Sequence, residues 1–396
     1  MQSEWKKYRL GELYEVHNGL SKGRKFFGRG YPFLSFSTVF NRYFLPEKLT
    51  DLVESTEKER ETLSIHRGDV FITRTSETYD ELGMSCVALK DYPNATFNGF
   101  TKRLRPIEEG RVLPEYIGYF LRSPQFRKKF EQIANVTTRA SLSNGDLLNM
   151  EVSLPPLPIQ RKLASILSAL DDKIETNNAI CRNLEDQSMA VFKRCFFTHS
   201  EQLVEDKPVY DFAEYINGAA FKQHEYGESG LPIIKIAELK SGLSSSTLFY
   251  RGEDKDEKYY IQNGDILFSW SGNPETSIDV FIWTRGDAIL NQHIFNVKSR
   301  YEAKWFTYLM LKNYMPVFAK IASDKQTTGL GHVTVADLKR LTFPYNTNQI
   351  LDFEKEVSIY MEQVYNTLVM NNHLTNLRDT LLPKLMNGEL EVETLV

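Results

Sequence analysis

The sequence has few of the features that organise a fold through covalent or metal chemistry. It contains three cysteines among 396 residues, and Cys86, Cys181 and Cys195 form no Cys-x-x-Cys pair, which excludes a disulfide framework or a zinc-organised fold. No apolar run reaches the roughly 18–20 residues that a bilayer span requires. The polar start, Met1 to Lys7, lacks the apolar centre of a signal peptide. We therefore expect a cytoplasmic protein with no membrane partner.

Catalytic motifs are also missing. The sequence has no Asn-Pro-Pro-Tyr or Asp-Pro-Pro-Tyr segment of an amino-methyltransferase, no Gly-x-x-x-x-Gly-Lys phosphate loop and no Gly-x-Gly-x-x-Gly turn. Its histidines show no His-x-x-x-His spacing of the kind that binds zinc. Acidic-x-Lys segments at 171–173, 253–255 and 256–258 match half of a metal-nuclease motif, but no Pro-Asp dipeptide completes it. We expect no catalytic residue, no metal site and no bound cofactor in this chain.

The composition is that of an ordinary folded protein with more than one domain. Hydrophobic residues make up 41% of the chain and charged residues 25%, and a chain of this length exceeds what one core normally holds. The net charge of −4 does not favour a simple basic nucleic-acid binder. Charge alone therefore assigns no partner.

The chain repeats itself once. The segment Leu10–Gly19 matches Val209–Gly218 with an Asn-Gly dipeptide in register, and Ile65–Ile72 matches Ile261–Phe268 around a shared Gly-Asp dipeptide. Further matches follow in the same order: Tyr31–Phe36 with Leu231–Ile236, Thr137–Thr138 with Thr327–Thr328, and Val152–Pro155 with Thr342–Pro344. Such a repeat predicts two homologous units.

Each repeat unit predicts a globular part followed by a long helix. The globular parts carry short β-branched and aromatic runs between Gly, Pro, Asn and Ser, a pattern typical of strands with a few helices. No Gly or Pro occurs between Ile159 and Lys207, and the second helical stretch runs from Gln349 to Asn387, before Gly388. The predicted class is α+β, with two homologous mixed domains and two long helices that form an antiparallel coiled coil. The predicted boundaries are 1–156 and 201–345 for the domains, and 157–200 and 346–396 for the helices.

Both helices carry an apolar seam at alternating steps of three and four residues, the spacing of a coiled coil. The alternative is that each helix packs only on its own domain. Antiparallel pairing about the midpoints of the two seams places Asn177 opposite Asn371. The predicted seam residues are Leu163, Leu167, Leu170, Ile174, Asn177 and Leu184 in the first helix, and Val357, Val364, Asn371, Leu381 and Leu385 in the second.

The first globular part carries candidate nucleic-acid contacts. A glycine-rich loop at 20–30 holds several cations without acidic neighbours in sequence, and such a loop fits phosphate groups. Cations and hydroxyls also follow predicted strands further on, where arginine fits guanine and hydroxyls fit several base edges. A solvated basic loop and a plain exposed strand edge are the alternatives. The candidates are Lys22, Arg24, Lys25, Arg29, Arg74, Thr75, Lys102 and Arg139.

The second globular part places different chemistry at matching positions. Amides and aromatic side chains replace many of the cations, and Asn and Gln pair with adenine through two hydrogen bonds. A constant scaffold with changed polar residues predicts two readers of two different targets. The candidates are Lys222, His224, Trp270, Asn273, Asn291, Gln292, His293, Lys325 and Thr328.

Two longer motifs give the chain a family resemblance. The segment Leu154–Leu167 runs through Pro155, Pro156, Pro158 and Gln160 into the first long helix, and Leu377–Leu390 ends the second with Leu-x-x-x-Leu-Leu-x-x-Leu-x-x-Gly-x-Leu spacing. With these motifs the whole chain resembles the DNA-specificity subunit of a type I restriction–modification system. The start of the second helix, after Phe343-Pro-Tyr, departs from the double proline of the family.

The resemblance implies a specific division of labour. Two target-recognition domains each read one half of an asymmetric, two-part site in double-stranded DNA, and the paired helices measure the distance between the halves. Two methylation subunits bring S-adenosylmethionine and the catalytic residues, and two restriction subunits bring ATP-driven, magnesium-dependent activity. The chain itself is then a non-catalytic specificity subunit.

One alternative is a non-catalytic adaptor whose two domains bind proteins rather than DNA. A fused methyltransferase–specificity enzyme would need a longer chain and the missing catalytic motif.

Overall fold

A computed structural model describes residues 5–390, apart from 77–81, 134, 137–139, 199–204, 245, 253 and 327–329. Arg139 and Thr328, two members of the candidate set, lie outside the described residues. The chain forms two units, one of residues 1–173 with 375–396 and one of residues 174–374. Each unit therefore combines one globular part with a segment of each long helix. Among the described helices, none is long and apolar enough to cross a membrane.

The first unit is built from short strands and helices. Its strands are β1 Lys6–Arg9, β2 Tyr14–Asn18, β3 Phe27–Leu34, β4 Leu52–Val53, β5 Val70–Thr73, β6 Thr75–Ser76, β7 Ser85–Val87, β8 Thr96–Phe97, β9 Thr101–Pro106, β10 Asn135–Val136, β11 Ala140–Ser141 and β12 Glu151–Leu154. Its helices are α1 Leu10–Leu13, α2 Phe36–Asn41, α3 Glu57–Thr62, α4 Pro114–Phe120, α5 Pro124–Ile133 and α6 Asn144–Asn149. The long helix α7 spans Leu157–Lys193 and continues into a π-helical turn, Arg194–Thr198.

The second unit repeats this plan. Its strands are β13 Glu205–Pro208, β14 Ala213–Asn217, β15 Tyr226–Gly227, β16 Leu231–Ile234, β17 Phe249–Tyr250, β18 Tyr260–Ile261, β19 Ile266–Ser269, β20 Ser271–Gly272, β21 Asp279–Ile282, β22 Ala288–Leu290, β23 Ile294–Ser299, β24 Gly331–His332 and β25 Thr342–Tyr345. Its helices are α8 Ile236–Ser241, α9 Lys304–Asn313, α10 Met315–Asp324 and α11 Val335–Arg340, and the second long helix is α12 Thr347–Met386.

The sheets confirm the internal repeat strand by strand. The order β2-β9-β5-β7 in the first unit corresponds to β14-β23-β19-β21 in the second, and both sheets are antiparallel. The pair β1-β12 corresponds to β13-β25, and β3 runs parallel to β8 as β16 runs parallel to β22. The two homologous mixed domains predicted from the sequence are therefore present.

The repeated Gly-Asp dipeptide is a turn that starts the central strand. Gly68 and Gly264 have φ of 90° and 93°, a left-handed conformation that favours glycine. The buried carboxylate of Asp69 accepts from the His66 N–H at 2.8 Å and from Arg105 Nη2 at 2.7 Å. Asp265 accepts in the same way from the Gln262 N–H at 3.0 Å and forms an ion pair with Lys298. The dipeptide therefore serves the architecture of β5 and β19.

The two long helices pair antiparallel within each unit, as predicted. In the second unit Arg194 Nη2 lies 2.6 Å from Glu356 Oε1, while the Cys181 thiol contacts the Val364 carbonyl at 3.8 Å. In the first unit the Asp171 carboxylate forms a 2.7 Å ion pair with Arg378.

The predicted seam is correct in its main positions and drifts in others. Leu163, Leu167, Val357, Val364 and Leu385 are buried, whereas Leu170, Ile174, Leu184 and Leu381 are half-buried. Late in α12 the burial moves to Leu382, beside Leu381, because a helix of 3.6 residues per turn drifts against a 3.5-residue repeat. The helix ends at Met386, and Gly388 follows with φ of 73°, as the sequence predicts.

The predicted asparagine pair is present on the seam. Asn177 and Asn371 are 2% and 8% exposed, and Asn177 Nδ2 donates to Asn371 Oδ1 at 2.7 Å. Asn371 Nδ2 in turn donates to Asn178 Oδ1 at 2.9 Å. A satisfied polar contact among apolar layers favours one register, because any slip leaves a buried amide unpaired.

We expect Asn177→Leu and Asn371→Leu each to lower the free energy of unfolding by about 1–3 kcal/mol, since each leaves a buried amide without its partner. The double variant should recover most of that loss. Urea unfolding of the full chain measures the cycle, with Asn183→Ala on the exposed face of α7 as control. Additive losses in the double variant would contradict a register role.

Candidate nucleic-acid interface

In the second unit, several loop residues converge where the central strands end. The Trp270 N–H, directly after β19, donates to the His293 carbonyl at 3.4 Å, and the Val333 N–H donates to the Trp270 carbonyl at 2.8 Å. These bonds join the turn Asn291–His293 to the segment before α11. We call Asn217, Trp270 and this turn the strand-end site of the second unit.

The first unit has the same backbone frame. The Arg74 N–H donates to the Phe100 carbonyl at 3.0 Å, and the Leu142 N–H donates to the Arg74 carbonyl at 3.0 Å. Asn18, Arg74 and the turn Asn98–Phe100 therefore form the strand-end site of the first unit. The two sites share these hydrogen bonds and two asparagines, since Asn18 matches Asn217 and Asn98 matches Asn291, and they differ in their remaining side chains.

The repeated Asn-Gly dipeptide allows the close approach on which both sites depend. A Cβ on Gly19 would overlap the carbonyl oxygen of Asn98, and a Cβ on Gly218 would overlap that of Asn291. The residue after each glycine holds it beside the neighbouring turn. The Leu20 N–H donates to the Phe97 carbonyl and the Ala219 N–H to the Leu290 carbonyl, both at 2.8 Å.

Side chains of the second strand-end site form an aromatic and amide cluster. The Trp270 Nε1–H donates to Asn217 Oδ1 at 3.1 Å, and the Trp270 ring lies 5.6 Å from the His293 ring and 5.7 Å from the Phe295 ring. Gln292 and His293 are exposed, with Gln292 Nε2 3.3 Å from His293 Nε2. The structure thus brings together Trp270, Asn291, Gln292 and His293 from the candidate set.

Other candidates of the second unit lie outside this cluster. Lys222 and His224 are exposed on a single helical turn, and exposed Asn273 accepts from the Glu275 N–H at 2.9 Å. Lys325 forms an ion pair with the buried carboxylate of Asp337, at the start of α11. Lys325 stays a predicted DNA contact, although its ammonium is already paired with a carboxylate.

The basic loop of the first unit is also partly neutralised. Lys22 Nζ lies 2.7 Å from Glu59 Oε2 and donates to the Glu54 carbonyl at 2.6 Å, and Arg29 Nε lies 2.6 Å from Glu54 Oε1. The loop has no acidic neighbour in sequence, but the fold brings distant carboxylates to Lys22 and Arg29: Glu59 from α3 and Glu54 from directly after β4.

Two cations of that loop keep the predicted character. Arg24 and Lys25 are exposed, and Lys25 Nζ lies 5.1 Å from the ring centroid of Phe26. Within the described part of the chain neither has an acidic partner. Arg24 and Lys25 stay predicted phosphate contacts.

Lys102 is not the exposed strand-edge residue that the alternative reading of the sequence suggests. It is 4% exposed, and its ammonium contacts Asn144 Oδ1. Burial of the ammonium lowers the pKa of Lys102, and the nearby positive charge of Arg74 lowers it further. Thr75 pairs with Ser141 between β6 and β11.

The candidate set did not include Phe100 and Asn217 of the strand-end sites, nor Phe295 beside the second site. Phe100 is 56% exposed on its turn, Phe295 packs on Trp270, and Asn217 accepts from the same indole. The internal alignment that pairs Asn98–Phe100 with Asn291–His293 is the signal that could have identified Phe100.

The chain belongs to the family of the type I restriction modification DNA specificity domain, whose model matches residues 2–186 and 201–377. This confirms the resemblance inferred from the sequence. The chain is 22% identical to the type I restriction enzyme MjaIX specificity subunit of Methanocaldococcus jannaschii, over 99% of this chain and 95% of that protein. It is also 22% identical to the type I restriction enzyme HindI specificity subunit of Haemophilus influenzae, over 98% and 100% of the two chains.

A solved structure shows the same fold. The type I restriction–modification S subunit from M. genitalium matches with a TM-score of 0.52 and 14% identity, over 96% of both chains. The two-domain α+β architecture is thus shared with an S subunit.

We expect Gly19→Ala to lower the free energy of unfolding by about 1–3 kcal/mol, because the added methyl group overlaps the Asn98 carbonyl. Gly23→Ala in the same loop is the matched control: its Cβ meets no atom within 4 Å and its φ is −71°, so it should be neutral or slightly stabilising. Equal urea midpoints for the two variants would contradict the close approach.

Proposed function

We propose that the chain reads an asymmetric, two-part site in double-stranded DNA, one part with each unit. The observation that carries this proposal is the shared backbone frame of the strand-end sites, on which the side chains differ. A constant frame with changed side chains is what two readers of different sequences require.

The chemistry of each site supports a different half-site. In the second unit, the exposed amide of Gln292 is suited to the N6 and N7 edge of adenine. In the first unit, exposed Arg24 and Lys25 supply positive charge in the loop that begins at Leu20, and Leu20 pairs with Asn98 of the turn that carries exposed Phe100. This fits phosphate contact beside a base-reading turn.

The proposal includes the partners that the family resemblance implies. The chain is a non-catalytic subunit that assembles with two methylation subunits, which bind S-adenosylmethionine, and with two restriction subunits, which use ATP and magnesium. Its own contribution is the choice of the DNA site, and the complex acts in the cytoplasm.

We expect the salt dependence of DNA affinity to distinguish the cations of the first loop that contact phosphate from the one that is paired with a carboxylate. Arg24→Gln and Lys25→Gln should each reduce the slope of log binding constant against log salt by about 0.9 on all sequences. Lys22→Gln should change the slope much less, because Glu59 already neutralises that ammonium.

Lys128→Gln, an exposed cation on α5, is the control. A chain without any salt-dependent DNA affinity would contradict the proposal and support a protein-binding adaptor.

We expect the long helices to set the gap between the two parts of the site. Four residues inserted after Asn178 in α7 and four after Val369 in α12 keep the seam pairs on either side, and they add about 6 Å of helix. At about 3.4 Å per base pair, the unspecified gap should grow by one to two pairs with both half-sites unchanged. Two-residue insertions turn the seam by about 200° and should impair folding. An unchanged gap in methylation maps of the four-residue variant would contradict this role.

A further inference from the structure

Arg74 of the first strand-end site and Lys102 beside it form no ion pair with any described carboxylate. Lys102 on β9 is the registered partner of Ile72 on β5, so it shares a sheet face with Arg74, two residues further along. The Lys102 ammonium contacts only a neutral amide, that of Asn144, and Arg74 Nε is buried without a hydrogen-bond partner in the described part of the chain. No described carboxylate forms an ion pair with either cation.

The neighbouring arginines of the same strand hydrogen-bond to described protein groups, although Arg103 Nε, like Arg74 Nε, is buried without a partner among the described residues. Arg105 forms an ion pair with buried Asp69 at 2.7 Å, and Arg103 Nη1 donates to the Ser64 carbonyl at 2.6 Å. Among the described residues, Arg74 and Lys102 are therefore two cations on one sheet face without an ion pair. A like-charged pair that is partly withdrawn from water is costly unless an anion joins it.

The frame itself does not require these charges. The matching positions of the second unit are Trp270 and Phe295, whose rings lie 5.7 Å apart, and the backbone hydrogen bonds are the same. Since an uncharged aromatic pair supports the same frame, we look for the reason for the cations in a ligand of the first unit.

We propose that Arg74 and Lys102 form an anion site that holds a phosphodiester group of the DNA backbone in the first unit only. The inference rests on the proposed DNA recognition and adds a named contact to it. A guanidinium can bind a phosphate through two hydrogen bonds, and the buried ammonium behind it adds charge that a neutral guanine edge would not offset. The second unit uses the matching position for its aromatic cluster.

The test compares Arg74→Gln, Lys102→Met and the control Lys128→Gln in the full chain. Arg74→Gln should lower DNA affinity by about tenfold and reduce the salt slope by about 0.9 on every sequence. Lys102→Met should weaken DNA binding as well, yet raise the melting temperature of the free chain, because the like-charge repulsion is gone. A purely structural lysine would give a lower melting temperature instead, and this would overturn the proposal.

Inorganic phosphate separates this inference from the proposed function. At fixed ionic strength, phosphate should raise the melting temperature of the wild type and of Lys128→Gln, and it should have no such effect on Arg74→Gln. If phosphate acts through Arg74 but the chain binds no DNA, the anion site stands and the proposed function fails. A loss in Arg74→Gln that is confined to one base pair, at unchanged slope, would overturn the phosphate assignment. Unchanged affinity and unchanged phosphate response would overturn it too.

Discussion

The antiparallel pairing of the two long helices is the constraint on which each unit depends. In the first unit, Leu163 and Leu167 of α7 share a buried core with Leu382 and Leu385 of α12. In the second unit, Phe192 packs on Phe353 with ring centroids 5.5 Å apart. Because these partners are distant in sequence, each core depends on contacts between segments far apart in the chain, and the first unit is built from two separate stretches, 1–173 and 375–396. The buried asparagine contact adds a preference for one register of this pairing.

On this scaffold, the residues that fix the backbone geometry of both units are different from the residues whose side chains change between the units. The glycines that approach the turns and the aspartates that start β5 and β19 serve the frame, and they recur in both units. Other side chains that project from the frame do not recur: Arg74 and Lys102 occupy positions that Trp270 and Phe295 hold in the second unit. A fold of this kind can change its DNA target without changing its architecture, because the altered side chains make few of the bonds that define the frame.

The sequence predicts what depends on spacing and fails where the fold brings distant residues together. Periodicity and the internal repeat were sufficient for the fold class, the antiparallel helices and the Asn177–Asn371 contact. The ion pairing of the basic loop was not predictable, since Glu59 reaches Lys22 only after α3 has packed beside the loop. The burial of Lys102 was missed for the same reason: a lysine next to arginines in sequence gives no sign of the Asn144 contact that covers it. The exposure of the Phe100 ring was not predictable either, because it depends on the geometry of the turn.

The central claim is that two units with one frame read two independent half-sites. Selection of bound sequences from a random DNA library, with the full chain and the methylation subunits proposed as its partners, tests this claim directly when wild type is compared with the Gln292→Ala/His293→Ala variant. The account predicts two specified blocks around an unspecified gap for the wild type, and loss of base preference in one block alone for the variant. Equal loss of preference in both blocks would contradict it.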